Sequence, residues 1–146
     1  MSKLAKEIMT PAPKCCSADA KLNEVASLMV EADCGEIPIN DASNRLIGVI
    51  TDRDIVVRVV AKGMNPSEVT AGECMTQPVV VVTEDTELDN VLSVMEENQI
   101  RRIPVVDKDG CCCGIIAQAD VALCAGEEKV GELVREVSKD SLGLTH

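Results

Sequence analysis

A short segment in the first half of the chain carries the residues best suited to binding a ligand. The sequence Gly48-Val49-Ile50-Thr51-Asp52-Arg53-Asp54 runs from a predicted strand into a predicted helix. Gly48 lets another group approach the backbone closely. Thr51 stands at the helix start, where free N–H groups and the positive dipole end favour an anion. The Asp54 carboxylate only accepts hydrogen bonds, which suits the paired hydroxyls of a ribose. Together these residues would make a nucleotide site.

The same residues also fit a purely structural role. Thr-x-x-Asp at a helix start resembles a capping box, although that motif prefers Glu or Gln at its last position. Taken alone, the segment favours capping over ligand binding. The two roles are compatible, because a capping hydroxyl can serve both the helix and a ligand.

The chain repeats itself, so the segment occurs twice. When the sequence is shifted by 66 residues against itself, the copies align without a gap from Ala5 to Asp54. The matched positions include Met9-Thr10 with Met75-Thr76, Ile37-Pro38 with Ile103-Pro104, Gly48 with Gly114, and Asp54 with Asp120. Such self-similarity indicates a duplicated structural unit. Two copies are too few for a solenoid, and we predict a pseudo-symmetric pair that buries a shared face.

Each copy predicts the element order β-α-β-β-α, which places the fold in the α+β class. Apolar residues at helical spacing predict the first helix, from Leu22 to Met29 and from Leu88 to Met95. The other predicted elements are strands at 14–16, 36–39 and 46–50 with a helix at 52–62, and strands at 79–82, 102–106 and 112–116 with a helix at 118–124. We divide the chain into repeat 1 with its N-terminal segment and linker (1–66), repeat 2 (67–126), and a tail (127–146). The tail has the apolar spacing of a short helix, and we expect residues 141–146 to be frayed.

Composition excludes several classes of protein. The 146 residues carry a net charge of −11 and include no Phe, Trp or Tyr. The acidic excess disfavours nucleic-acid backbones, and the lack of aromatics removes stacking platforms for single strands. No apolar run reaches the roughly 18 residues of a membrane span. Residues 1–14 lack the apolar core of a signal peptide. We therefore expect a cytoplasmic protein that binds neither nucleic acid nor membrane.

The eight cysteines predict neither disulfides nor a zinc site, because there is no export signal and no Cys-x-x-Cys pair. Six of them stand opposite aliphatic residues of the other copy: Cys15, Cys16, Cys34, Cys74, Cys112 and Cys113. Free Cys packs as a small hydrophobe, so we predict that these fill the core. Cys111 and Cys124 stand opposite Arg45 and Arg58, and we expect them to be exposed and to carry any thiol chemistry. A cysteine-based metal or redox protein is the less favoured alternative.

With both copies in register, the chain resembles a pair of CBS domains, the cystathionine-β-synthase-type repeats that form a Bateman module, here as a stand-alone two-repeat protein. The matching motifs are Met9-Thr10-Pro11, Met75-Thr76-Gln77-Pro78, Ile37-Pro38-Ile39, Arg101 to Asp107, Gly48 to Ile55, and Gly114 to Val121. The resemblance covers nearly everything from Ala5 to Leu123. It implies two clefts between paired sheets, related by a pseudo-two-fold axis, and a flat homodimer.

The resemblance also implies a ligand and residue roles. CBS pairs often bind AMP, ADP, ATP, S-adenosylmethionine or relatives, with the ribose on the Asp of Gly-x-x-[Ser/Thr]-x-x-Asp and the phosphate near the hydroxyl residue. Basic residues ahead of the partner repeat's Ile-Pro strand reach the same phosphate. These roles fall on Gly48, Thr51, Asp54, Arg101 and Arg102 for the main cleft, with Thr10 in its neighbourhood, and on Gly114 and Asp120 for the second cleft. We expect the second cleft to be degraded, because Ala117 lacks the hydroxyl and Glu36 would repel a phosphate.

These features predict a sensor and not an enzyme. No motif combines a nucleophile with a base and an orienting group, and the single histidine, His146, is the last residue. We expect a regulatory module that binds an adenosyl ligand, requires no cofactor or metal, and acts in trans on an unidentified protein. The alternative is a ligand-free adaptor whose surface binds another protein.

Overall fold

The computed structural model describes residues 3–141 of the chain, arranged as two compact units. Unit 1 combines residues 3–12, 80–108 and 113–141, whereas unit 2 combines residues 13–79 and 109–112. Unit 1 is therefore built mainly from repeat 2, with a short leading segment, residues 3–12, from repeat 1. Unit 2 is built mainly from repeat 1, with a leading segment from repeat 2 that ends at residue 79. We call residues 5–10 and 71–76 the Met-Thr segments. The sequence division at 1–66 and 67–126 follows the repeat and stays a prediction.

Seven helices and seven strands are described within residues 3–141. The helices are α1 (Ala5–Ile8), α2 (Leu22–Ala32), α3 (Asp52–Ile55), α4 (Ala71–Cys74), α5 (Leu88–Asn98), α6 (Gln118–Ala122) and α7 (Glu127–Ser141). The strands are β1 (Thr10–Pro11), β2 (Cys16–Ser17), β3 (Glu36–Asn40), β4 (Leu46–Thr51), β5 (Val82–Thr83), β6 (Arg102–Val106) and β7 (Cys112–Ala117). The mixed α+β prediction is confirmed. The single helix predicted at 52–62 is instead α3 followed by a π-helical stretch, Val56–Val60.

The strands form two sheets of different strand order. In unit 2 the strand order is β2-β3-β4, with β2 parallel and β4 antiparallel to β3. In the other sheet the order is β1-β7-β6-β5, with β1 antiparallel to β7 and β5 parallel to β6. The short strands β1 and β5 lie at its edges, where few ladder hydrogen bonds are needed.

Each unit has its own aliphatic core. The unit 2 core contains Leu22, Val25, Ile37, Ile39, Ile50, Val59, Val69, Ala71 and Cys74. The unit 1 core contains Ala5, Ile8, Val82, Leu88, Val91, Leu92, Met95, Ile103, Val105, Ile116, Val121, Leu133 and Val137. Burying a side chain of this size contributes roughly 1.5–3 kcal/mol, so the cores need no aromatic residue. None of the helices within residues 3–141 has the length and apolarity to cross a membrane.

The cysteines follow the predicted pattern only in part. Cys74 is buried in the core of unit 2, as the repeat predicts. Cys34 is exposed, although its counterpart Ile100 packs against the core of unit 1. The expectation that Cys111 and Cys124 are exposed is wrong, since both are half-buried. The Cys124 thiol donates to the Asp120 carbonyl oxygen at 3.2 Å.

Gly48 in β4 is required because a Met-Thr segment packs directly on it. A Cβ atom at this position would lie 2.6 Å from the Met75 sulfur and 3.0 Å from the Thr76 carbonyl oxygen. The backbones are also paired: the Thr76 N–H donates to the Val49 carbonyl at 2.8 Å, and the Val49 N–H donates back at 3.2 Å. The group that approaches Gly48 in this structure is thus part of the protein itself.

The same contact occurs in unit 1, between Gly114 and the other Met-Thr segment. A Cβ atom on Gly114 would lie 2.7 Å from the Met9 Cγ atom. Thr10 and Pro11 pair with Ile115 and Gly114 in the β1–β7 ladder. The repeated Met-Thr doublet therefore has a structural meaning: the methionine covers a strand glycine and anchors the segment.

We expect Gly48→Ala to lower the free energy of unfolding by about 1–3 kcal/mol, because the new methyl group collides with Met75 and with a backbone carbonyl held in a ladder. In a Met75→Ala background the same substitution should cost less, since the sulfur is gone. Urea denaturation followed by far-ultraviolet circular dichroism measures both values. Gly131→Ala, where a Cβ meets nothing within 4 Å, is the matched control and should not destabilise. Equal costs of Gly48→Ala in the two backgrounds would contradict this packing.

Candidate functional site

The junction between β4 and α3 is a complete capping box. The Asp54 N–H donates to the Thr51 hydroxyl oxygen at 3.1 Å, and the Thr51 N–H donates to Asp54 Oδ2 at 3.0 Å. The residues proposed from sequence to hold phosphate and ribose thus satisfy free backbone groups at the helix start. The structural alternative raised by the sequence is present in this unit.

Asp54 also has two partners that the sequence pattern did not predict. The Thr76 hydroxyl donates to Asp54 Oδ2 at 3.4 Å, and the Arg58 guanidinium lies 3.6 Å from Oδ1. Arg58 also donates to the Cys74 carbonyl oxygen at 2.8 Å. A carboxylate offers about four acceptor positions. The Asp54 side chain, 15% exposed, retains capacity for a ligand mainly at Oδ1.

The second copy has a simpler junction. Asp120 Oδ2 accepts from the Ala117 N–H at 2.8 Å, and Oδ1 accepts from the Thr10 hydroxyl at 3.2 Å. Ala117 has no side-chain hydroxyl, so it cannot accept a hydrogen bond from an N–H group in the first turn of α6. Thr10 lies against Asp120 because its segment pairs with β7, and its predicted place in the neighbourhood of the main cleft stays a prediction.

The residues ahead of the two Ile-Pro strands occupy equivalent positions in their units. The Asp52 N–H donates to the Gly35 carbonyl at 3.0 Å, and the Gln118 N–H donates to the Arg101 carbonyl at 3.1 Å. Arg101 is exposed and Arg102 begins β6.

Glu36, the counterpart of Arg102, is only 5% exposed and stands opposite Thr51 in the β3–β4 register. Glu36 therefore shares unit 2 with Thr51 and Asp54, whereas the two arginines belong to unit 1. The predicted grouping of Thr51 and Asp54 with Arg101 and Arg102 draws on both units, and it stays a prediction.

The charges at the start of α3 limit what can bind there. Asp52 and Asp54 both lie in its first turn. Their negative charges oppose an anion placed at the helix N-terminus. A ligand phosphate at Thr51 therefore needs additional cations, which gives the predicted role of Arg101 and Arg102 a physical reason.

Three functional neighbours were missed by sequence reasoning: Met75, Thr76 and Arg58. The first two were visible as a doublet repeated in both copies, but periodicity does not reveal which strand a segment will cover. The Asp54–Arg58 pair has the i, i+4 spacing of a helical ion pair, which was a usable signal. Within residues 3–141, no cluster of three or more His, Cys, Asp or Glu side chains is arranged to hold a metal ion.

Comparison with known proteins identifies the repeat. A family model for the CBS domain matches residues 5–61 and 71–126. Hypoxic response protein 1 of Mycobacterium tuberculosis is 35% identical over 133 residues, covering 91% of this chain and 92% of the relative. The crystal structure of that protein, with two coordinated zinc ions, has a TM-score of 0.78 and covers 85% of this chain and 100% of the other.

Two further crystal structures share the fold. The CBS domain pair of protein MJ0100, in complex with 5′-methylthioadenosine and S-adenosyl-L-methionine, is 28% identical with a TM-score of 0.76, covering 84% of this chain and 95% of the other. The hexameric CBS-CP12 protein from bloom-forming cyanobacteria is 28% identical with a TM-score of 0.76, covering 86% and 69% of the two chains.

We expect Thr51→Ala to lower the free energy of unfolding by about 1 kcal/mol, because the Asp54 N–H loses its cap. The second copy supplies the reciprocal experiment. Ala117→Thr should stabilise the protein by up to about the same amount, since it completes the half-formed box at Asp120. Urea denaturation of the two variants and the wild type tests both. A destabilising Ala117→Thr with a neutral Thr51→Ala would show that the caps do not matter.

Proposed function

The chain belongs to the CBS domain family, and from that premise we propose that it is a regulatory module that binds an adenosyl ligand at the β4–α3 junction. The candidate ligands are AMP, ADP, ATP and S-adenosylmethionine. The observation that carries the proposal is the retained Gly-x-x-Thr-x-x-Asp segment, Gly48 to Asp54, whose carboxylate has one weakly engaged oxygen. The MJ0100 domain pair, crystallised with two adenosyl compounds, supports the ligand class.

The ribose is assigned to Asp54. Of the described contacts to this carboxylate, the one with Arg58 is the longest, at 3.6 Å to Oδ1. A ribose hydroxyl donating to Oδ1 would therefore replace or share the weakest of these interactions. Oδ2 can keep its bonds to Thr51 and Thr76, so ligand binding does not require the helix cap to break.

The phosphate is assigned to Thr51 with Arg101 and Arg102. The Thr51 hydroxyl oxygen accepts the cap bond, and its own proton remains suited to a phosphate oxygen. Guanidinium groups bind phosphate with two parallel hydrogen bonds and would offset the charges of Asp52 and Asp54. This part of the proposal rests on the family resemblance.

The second copy should bind more weakly. Thr10 donates to Asp120 Oδ1, the oxygen that corresponds to the ribose acceptor proposed for Asp54. Ala117 offers no hydroxyl to a phosphate. We therefore assign Gly114 and Asp120 to a degraded site.

Regulation is proposed to act through self-association and a partner protein. Unit 2 exposes four apolar side chains in and just after the π-helical stretch, which we call the apolar stripe: Val56, Val57, Val60 and Met64. A second copy of this chain is the proposed occupant of this apolar stripe, in keeping with the hexameric CBS-CP12 relative. A ligand regulates such an assembly only if its affinity for the associated state differs from its affinity for the dissociated state. No catalytic step is proposed.

We expect Asp54→Asn to weaken binding of the tightest adenosyl ligand about 10- to 100-fold, because a charge-assisted hydrogen bond to the ribose is lost. Asp120→Asn should change the affinity less than threefold. Isothermal titration of both variants and the wild type with AMP, ADP, ATP and S-adenosylmethionine measures the difference. Arg58→Ala removes the ion pair and keeps the carboxylate, so it should not weaken binding, because ribose competes with this arginine for Oδ1.

Substitution of Arg101 and Arg102 distinguishes recognition of the phosphate from recognition of the nucleoside. A double Arg101→Ala and Arg102→Ala variant should lose affinity for ATP but not for S-adenosylmethionine, which has no phosphate. Removal of the exposed Arg45 and Arg135 together changes the net charge by the same amount and is the control. Undiminished ligand affinity in a folded Asp54→Asn protein would overturn the assignment of the ribose.

We expect Val56→Asp and Val60→Asp to shift the protein towards monomer, because a charge buried between two apolar stripes is not compensated. Sedimentation velocity over a range of concentrations gives the oligomeric state. Asn44→Asp adds the same charge in an exposed turn and should leave the state unchanged. A sedimentation coefficient unaffected by either valine substitution would rule out this surface as the interface.

A further inference from the structure

Two distant cysteine-bearing segments come together in unit 2. In the neighbouring ladder, Pro11 stands opposite Gly114, and the Ala12 N–H donates to the Cys113 carbonyl at 3.2 Å. Residues 13–15 follow the first of these segments in the chain, and residues 111–112 precede the second. Both of these continuations belong to unit 2.

The thiols of Cys15 and Cys112 are in hydrogen-bonding contact at this place. Cys15 also lies 3.4 Å from the Pro13 carbonyl oxygen, and its sulfur is within reach of the Asn40 side chain. Both cysteines are half-buried and neither is in a disulfide. The arrangement holds two thiols against each other while leaving part of their surface open to a small reagent.

The surroundings set Cys15 apart from the other cysteines. The hydrogen bond from Cys112, helped by Asn40, lowers the pKa of Cys15 to about 7 against the opposing effect of burial. Burial, with the charges of Cys15 and Glu24, raises the pKa of the adjacent Cys16 to about 11. Burial likewise raises the pKa of Cys74, Cys113 and Cys124. Because the thiolate is the nucleophile, we expect Cys15 to react faster than Cys16 at neutral pH.

We propose that Cys15 and Cys112 form a thiol–disulfide exchange site, with Cys15 as the attacking thiol, Cys112 as the resolving thiol, and low-molecular-weight disulfides of the glutathione type as the substrate class. The site is separate from Asp54 and does not depend on adenosyl binding. It also differs from the sequence-based expectation, which placed any thiol chemistry at Cys111 and Cys124.

The exchange proceeds in two balanced steps. The Cys15 thiolate attacks one sulfur of the small disulfide, the S–S bond breaks, and one small thiolate leaves and takes up a proton. The Cys112 thiol then gives up its proton and attacks the Cys15 sulfur, which expels the second small thiol. The net result is that two protein thiols are oxidised to one disulfide, while one small disulfide is reduced to two thiols. The new bond joins the 109–112 turn to the segment that leads into β2.

The test treats the reduced full chain with glutathione disulfide at neutral pH, quenches with acid, and measures intact mass. The wild type should lose the mass of two hydrogens without retaining glutathione. Cys112→Ser should accumulate one glutathione, because the attacking thiol remains and the resolving thiol is gone. Cys15→Ser should react at least tenfold more slowly than the wild type. Cys16→Ser and Cys113→Ser are matched controls from the same two cysteine runs and should behave as the wild type.

A measurement on the unmodified chain guards against variants that fold poorly. Trypsin cleavage after Lys14 releases a peptide that begins with Cys15-Cys16, and pulse alkylation of the native protein before digestion compares these two thiols directly. Cys15 should be alkylated at least tenfold faster than Cys16. Equal alkylation of the two, or unchanged disulfide formation in Cys15→Ser, would overturn the proposal. Disulfide formation that is lost equally in the Cys113→Ser control would also overturn it.

Discussion

Two carboxylates, Asp54 and Asp120, each join a strand-to-helix junction to a Met-Thr segment through hydrogen bonds. The rest of the structure depends on these two sets of contacts. Each accepts the N–H at the end of its closing strand, which sets the turn from strand into helix. Each also accepts the hydroxyl of a threonine from a Met-Thr segment, Thr76 or Thr10. The helix start and the segment that covers the strand glycine are therefore fixed by the same side chain. Losing either carboxylate would remove a hydrogen bond from both at once.

This dual use shapes the proposed ligand chemistry. A binding residue that also caps a helix is already oriented, so little conformational entropy is lost when a ligand arrives. The difference between the copies follows from the partner of the carboxylate oxygen Oδ1. At Asp54 that oxygen faces Arg58 at 3.6 Å, whereas at Asp120 it is engaged by Thr10 at 3.2 Å. In the proposed complex, ribose competes with Arg58, which also donates to the Cys74 carbonyl. Binding at Asp54 is thereby linked to the Met-Thr segment of the same unit.

Sequence reasoning reached the fold because the duplication is strong and local. The two copies align at one constant offset of 66 residues. Within each copy, neighbouring residues encode the amphipathic helices and the strand-to-helix junctions. The family model spans both copies. What it missed involves long-range pairing. The Met-Thr doublets were recognised as matched, but only the structure shows that Met75 covers Gly48 and that Thr76 reaches Asp54. The cysteines illustrate the same limit. Alignment with Ile100 implied a buried Cys34, yet the residue is exposed. The contact between Cys15 and Cys112 could not be inferred from spacing at all.

The central claim is that the chain binds an adenosyl ligand stoichiometrically, and the missing aromatics make it simple to test. With no Trp or Tyr, the protein itself absorbs little in the near ultraviolet, so bound adenine is read directly from the spectrum. Equilibrium dialysis of the purified full chain against AMP, ADP, ATP and S-adenosylmethionine, each separately, measures the retained ligand. The account predicts saturable retention of at least one of them. If the spectrum of the purified protein shows no adenine and none of the four is retained at millimolar concentration, the sensor proposal is contradicted.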